Sequence, residues 1–166
     1  LGIAEVLVGL GNIYTFSGQS EEAKPLNEES LAIYREMNDQ IGIAQNFGYV
    51  ASTFFFNGDF PRAIENLEQA IALHQELGIQ SGVAWWSANL GWARLQLGQY
   101  DRARQLLENS LSLAREIKHE RGVGASLNFL GLVCYGMGDP HRANQLLSQG
   151  VEKFRQINQP TDYARA

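Results

Sequence analysis

Cysteine occurs once, histidine three times and proline four times in 166 residues. A lone Cys134 excludes an internal disulfide, and three scattered histidines do not make a Cys/His metal cluster. Positive charge is also scarce: 13 Lys and Arg stand against 18 Asp and Glu, for a net charge of −5. The basic face of a nucleic-acid-binding protein is therefore missing. No apolar run approaches the roughly 20 residues of a membrane span, and no leader of charged, apolar and small residues opens the chain. Neither a Gly-x-x-x-x-Gly-Lys-Ser/Thr loop nor a strand-linked Gly-x-Gly-x-x-Gly occurs, and no Ser-His-Asp or Cys-His set has a defensible spacing. These gaps point to a reducing, cytoplasmic setting. They also point to a chain that is no enzyme and takes no cofactor, metal, nucleic acid or membrane as partner.

What is present is a folded composition, 45% hydrophobic and 19% charged, with 17 glycines. The glycines are not scattered. Gly2, Gly42, Gly82 and Gly122 fall 40 residues apart, as do Gly18, Gly58, Gly98 and Gly138, and Ala23, Ala63, Ala103 and Ala143. Softer columns agree: Leu10, Val50, Leu90, Leu130, and then Leu31, Ile71, Leu111, Val151. An unbroken register of this kind marks a tandem repeat, with units at 1–40, 41–80, 81–120 and 121–160. Residues 161–166 read as the opening of a further helix, because Asp162 and Ala164 share columns with Gly82 and Ala84. The chain begins at Leu1 in mid-unit, so it reads as a piece of a longer protein.

Apolar residues within each unit follow helical spacing, as in Leu127, Leu130, Cys134 and in Ala63, Leu67, Ala70, Ile71, His74, Leu77. The halves meet at GQSEEA, GDFPRA, GQYDRA and GDPHRA. Gly18 and its equivalents suit a helix end that needs positive φ. Asp59 and Asp139 suit the following N-cap, and Pro140 the first helical position. The spacing predicts a first helix, A, near 3–17, 42–57, 82–97 and 122–137, and a second, B, near 20–37, 60–77, 100–117 and 140–157. Pro25 falls inside the first helix B, where a late start or a kink with a broken bond near Glu21 is expected.

Leu90-Gly91, Gly98, Tyr100, Ala103, Leu107, Ser110, and Leu10-Gly11, Tyr14, Gly18, Ala23, Ser30, resemble the tetratricopeptide repeat across all four units. The likeness is to the 40-residue versions found in bacterial signalling regulators and ATPases and in animal cell-polarity adaptors. Arg94 and Asn27 depart from the family's large apolar residues, and the closing Pro is absent. The resemblance implies an all-α, right-handed α-solenoid of four tandem helix–turn–helix repeats. It further implies a scaffold that binds a partner's peptide or helix on a concave face lined by the A helices, as the sensor or adaptor part of a larger signalling protein.

Carrying the family's groove positions onto each helix A yields Val8, Asn12, Phe16; Gly48, Tyr49, Ser52, Phe56; Trp85, Ala88, Asn89, Trp92, Gln96; and Ala125, Asn128, Phe129, Leu132. The peptide-binding candidates among them are Asn12, Phe16, Tyr49, Ser52, Phe56, Trp85, Asn89, Trp92, Asn128 and Phe129. They make an aromatic, nearly uncharged surface dotted with Asn, whose amides can pair with a peptide backbone. Aromatics at this spacing also serve as core. Trp85 and Trp86 point about 100° apart, so at least one should be exposed or interfacial. The family's carboxylate clamp needs groove cations, and Val8, Gly48, Ala88 and Asn128 supply none. Arg94 is either packed and paired with a carboxylate or a groove cation for an acidic partner. His74 reads as packed, His119 and His141 as solvated, and Cys134 as a small apolar residue. Apolar stripes at the ends of such a stack leave homo-oligomerisation as the competing reading.

Overall fold

The computed structural model describes residues 2–158. Eight helices follow one another: α1 (Gly2–Phe16), α2 (Ser20–Glu36), α3 (Gln40–Phe56), α4 (Phe60–Glu76), α5 (Gln80–Gln96), α6 (Tyr100–Glu116), α7 (Glu120–Gly136) and α8 (Pro140–Asn158). Odd helices are the A members of the four repeats and even helices the B members. Each helix packs on its predecessor and successor, and each A helix also meets the next A helix. The result is a helical solenoid, within two residues of the boundaries expected at each helix end. The expected further helix at 161–166 lies outside the described residues.

Every turn has the same construction. A residue at positive φ follows each helix from α1 to α7, and the next N–H bonds five residues back, as from Gln19 to the Tyr14 carbonyl (2.8 Å) and from His119 to that of Ala114 (2.8 Å). This reach satisfies carbonyls that the helix end would otherwise leave bare. Gly18, Gly58, Gly98 and Gly138 fill the A-to-B turns, as anticipated. The B-to-A turns have the same need and meet it with Asn38, Gly78 and Lys118 at φ 54, 69 and 55°. That need was not evident in the sequence, because only one of the three is glycine. Asp59 and Asp139 cap α4 and α8 through the Arg62 and Arg142 N–H groups, and Asp39 does the same for α3 through Gly42.

Pro25 does not delay α2. The helix begins at Ser20, in register with Phe60, Tyr100 and Pro140, and runs unbroken to Glu36. Pro25 and Glu21 both lie on the exposed face, so water can serve the Glu21 carbonyl that loses its intrahelical donor.

The repeating small residues are places of close approach. Ala23, Ala63 and Ala103 are fully buried. A Cβ on Gly42 would fall on the Tyr34 ring of the preceding helix B, and one on Gly82 on the His74 ring. His74 is itself 2% exposed, with Nδ1 2.7 Å from the Ala70 carbonyl. It is a packed histidine, as expected.

The layers between repeats differ in chemistry. Leu67, Ala70, Trp86 and Ala93 make an apolar layer between the second and third repeats, and Leu107 and Val133 lie in the next. Between the first and second repeats the same columns hold Asn27, Ser30, Asn46 and Thr53, all buried. Asn27 Nδ2 donates to Thr53 Oγ1 (3.2 Å), which also bonds Thr15 Oγ1 (2.9 Å). Asn46 Nδ2 donates to the Asn27 carbonyl (3.2 Å) and to Ser30 Oγ. The Oδ1 atoms of Asn27 and Asn46 are buried with no partner.

Candidate functional site

Helix A places columns 9, 12 and 16 of each unit on one stripe, and stacking the units turns these stripes to one concave side. There they enclose a cavity of about 530 Å³. Nine of the expected residues line it: Asn12, Phe16, Tyr49, Ser52, Phe56, Trp85, Asn89, Trp92 and Phe129. Asn128 is not among them. Its Oδ1 is turned onto Gly150 of α8, where a Cβ would collide with it, and is buried without a partner. Val8 and Ala88 are also buried, and Gly48 lies under the Trp86 ring, so that column seals neighbouring A helices together; Ala125, in the column of Trp85, is buried too.

The aromatics touch in a chain that crosses all four repeats. Phe16 meets Phe56 edge-on at 5.2 Å, Phe55 lies 3.9 Å from Trp92, and Trp92 stacks on Phe129 at 4.8 Å and 11°. Each such pair adds about 0.5–1.5 kcal/mol beyond its buried area, so these rings hold the wall they form. Exposure is uneven along it. Phe16 is 70% exposed and Phe56 46%, while Tyr49, Trp85, Trp92 and Phe129 are half-buried. Trp85 and Trp86 divide as their angular offset requires: Trp86 is core, edge-on to Tyr49, and Trp85 faces the cavity.

Two side chains at the rim were not anticipated. Phe55 occupies the column of Thr15 and Leu95, outside the stripe carried over from the family. Arg121 stands in the first turn of α7 and lays its guanidinium over the Trp85 ring, 4.7 Å from the centroid. Among the described residues it is the only charged one lining the cavity. Arg94 takes the structural alternative, bonding Glu68 (2.8 Å) and Gln99 (3.2 Å).

The polar groups are partly committed. Ser52 donates to the Gly48 carbonyl (3.1 Å) and Asn89 Nδ2 to that of Trp85 (2.8 Å), leaving the Asn89 amide oxygen as its acceptor for a ligand. His119, beside this rim, is half-buried rather than solvated. Burial, and then the Arg121 charge, lowers its pKa below the ordinary 6.5. His141 is exposed, and Cys134 is a half-buried free thiol. Among the described residues no group of three His, Cys, Asp or Glu side chains could hold a metal ion, and no helix is long and apolar enough to cross a membrane.

One family profile, described as tetratricopeptide repeat, matches residues 40–116 and 94–156, and a second of the same description matches residues 3–39. No curated protein matches the chain. Among solved structures it is similar to BtubC (BKLC) from P. vanneervenii, at 20% identity and TM-score 0.74, over 95% of this chain and 65% of that one. It is similar also to aspartyl phosphate phosphatase F from Bacillus subtilis, at 16% and 0.81, over 94% and 41%. A third is a Podosopora anserina putative kinesin light chain with TPR-like repeats, at 22% and 0.70, over 96% and 77%. The chain spans less than two thirds of the first two, and at these identities the likeness is one of fold. With the 40-residue register, the paired helices and profiles spanning 3–156 all in agreement, the chain belongs to the tetratricopeptide repeat family.

Proposed function

We propose that the chain is a protein-interaction scaffold that holds a partner's peptide or helix in its concave groove, as the adaptor part of a larger cytoplasmic regulatory protein. The observation that carries this reading is the aromatic cavity, whose outermost rings, Phe16 and Phe56, are large apolar groups left open to solvent. Isolated exposed apolar residues need no explanation, but a contiguous concave set is the usual mark of a docking site. A few buried aromatics commonly dominate such binding. Asn12, Ser52 and Asn89 would fix the orientation of a bound backbone.

The test is capture from a displayed peptide library. Replacing Trp92 and Tyr49 together by Ala should abolish enrichment with far-UV helicity intact. Phe16→Ser, at an exposed ring, should weaken binding at a stability cost of about 1 kcal/mol, the loss of its contact with Phe56. Enrichment that survives both changes would remove the groove from consideration.

A second reading is self-association through the outer face of α1, and one observation favours it. Ile3, Val6, Leu10 and Ile13 are 42–70% exposed. Their column mates Val123, Ser126, Leu130 and Val133 are buried against the preceding repeat. The surface is thus chemically an inter-repeat face. Sedimentation over a range of concentrations should show dimers that Val6→Glu dissolves; a monomer throughout would dismiss this reading.

A further inference from the structure

We propose that the groove selects an acidic but otherwise apolar peptide segment, with the carboxylate of an internal Asp or Glu side chain paired to Arg121 and its apolar neighbours lying on Trp85 and Trp92. This rests on the groove reading above and adds the chemistry of the occupant.

The charge distribution carries the argument. Among the described residues, Arg121 is the one ionised side chain lining a cavity otherwise made of aromatic, Asn, Ser and aliphatic groups. It is exposed, and among the described residues no carboxylate lies within ion-pair distance of it. Arg62, Arg94, Arg104, Lys153 and Arg155 are each paired with an acid, and the other unpaired cations among the described residues lie away from the cavity, so Arg121 is set apart by its place on the cavity wall. The first turn of α7, the positive end of its dipole, carries one acid, Glu120, and that carboxylate is taken up by Lys153 (2.7 Å) and not by Arg121. A bound carboxylate would bring Arg121 the anion it lacks.

The geometry suits such a ligand. The guanidinium lies over the Trp85 ring and, among the described residues, makes no side-chain hydrogen bond, which leaves its N–H groups available for a two-point contact with a carboxylate. The apolar part of the ligand then meets Trp85 and Trp92 directly beside the charge. A free C-terminal carboxylate fits less well, because Val8, Gly48 and Ala88 are buried and offer no further donors. A polyanion is disfavoured by the net charge of −5 and by the solitary cation. That background repels acidic molecules generally, so an acid is accepted only where apolar contact accompanies it.

The experiment uses the whole chain and an array of short synthetic peptides with Leu, Ile or Phe anchors. One position is varied through Asp, Glu, Asn, Gln and Lys, and every peptide is made with a free and an amidated C-terminus. Asp and Glu peptides should bind about tenfold more tightly than their Asn and Gln twins. The preference should be indifferent to amidation, should shrink at high salt, and should vanish in Arg121→Gln, with Arg121→Lys intermediate. Equal binding of acid and amide twins, a preference surviving Arg121→Gln, or binding that requires the free C-terminus would each overturn the proposal while leaving the groove in place. The groove reading fails separately if Trp92→Ala with Tyr49→Ala leaves the peptides bound. If no peptide binds, both are overturned.

Discussion

Replacing the polar layer between the first two repeats should make the protein more stable, and the molecule supplies its own template for the change. A Cβ on Gly11 would stand 2.8 Å from Asn27 Oδ1, where one on Gly91 would stand 2.6 Å from Leu107 and one on Gly131 2.7 Å from Leu147. The three sites are the same contact, so Asn27→Leu has a geometry already realised twice. Thr53→Val then reproduces the Val133 that accompanies Leu107. The double variant removes a buried oxygen with no partner, a liability of about 1–3 kcal/mol. It also adds a buried Leu, worth about 2 kcal/mol. Against this stand the hydrogen bonds that Thr53 makes to Asn27 and to the buried Thr15 hydroxyl, about 1 kcal/mol each, and an imperfect fit of about 1 kcal/mol or more. The net expectation is a gain of about 1 kcal/mol, or about 2–4 °C in the melting temperature. Thr53→Val alone should do the opposite. It strips the Asn27 amide of its acceptor and should cost about 1–2 kcal/mol, so the pair is strongly non-additive. Thermal melts followed by circular dichroism for the four members of this cycle decide the matter. A double variant that melts at or below the parent temperature refutes the reasoning.

Other positions give smaller or opposite effects. Lys118→Gly should stabilise by about 1 kcal/mol in urea titrations, since a side chain at φ 55° is strained and glycine is not. Gly82→Ala should destabilise by about 2 kcal/mol or more, because its Cβ would drive into the His74 ring in a packed interior; wild-type stability there would mean the two helices can separate freely. Lowering of the His119 pKa in the fold means that the unfolded chain binds the proton more readily. Its contribution is therefore present above the unfolded value of about 6.5 and is lost as the pH falls through the folded one. His119→Gln should flatten the slope of stability against pH in that window.

The architecture was legible because three columns repeat without exception and each has a physical cause. Gly18 and its mates take positive φ, Ala23 and its mates sit where two helices touch, and Gly42 and Gly82 lie under a ring from the previous repeat. What the columns concealed is that the chain turns in the same way every 20 residues, since Asn38 and Lys118 disguise a requirement that Gly78 alone would show. Pro25 misled for a different reason: one missing N–H on a solvent face does not stop a helix that is held by its buried side. At the groove, periodicity located the stripe but not the rotation of individual side chains. Asn128 turns under Gly150, and Phe55 and Arg121 enter from columns that elsewhere hold unrelated residues.

All three tryptophans belong to α5, at the centre of the stack, and all three border the cavity, Trp85 and Trp92 half-buried and Trp86 buried. Optically, then, the molecule carries one lamp rather than several. Its ultraviolet emission comes from the wall of the groove, beside the Arg121 guanidinium, and hardly at all from the ends of the array. A change in emission colour or quenching on mixing reports events at that wall without a dye, and processes confined to the first repeat should leave it unchanged.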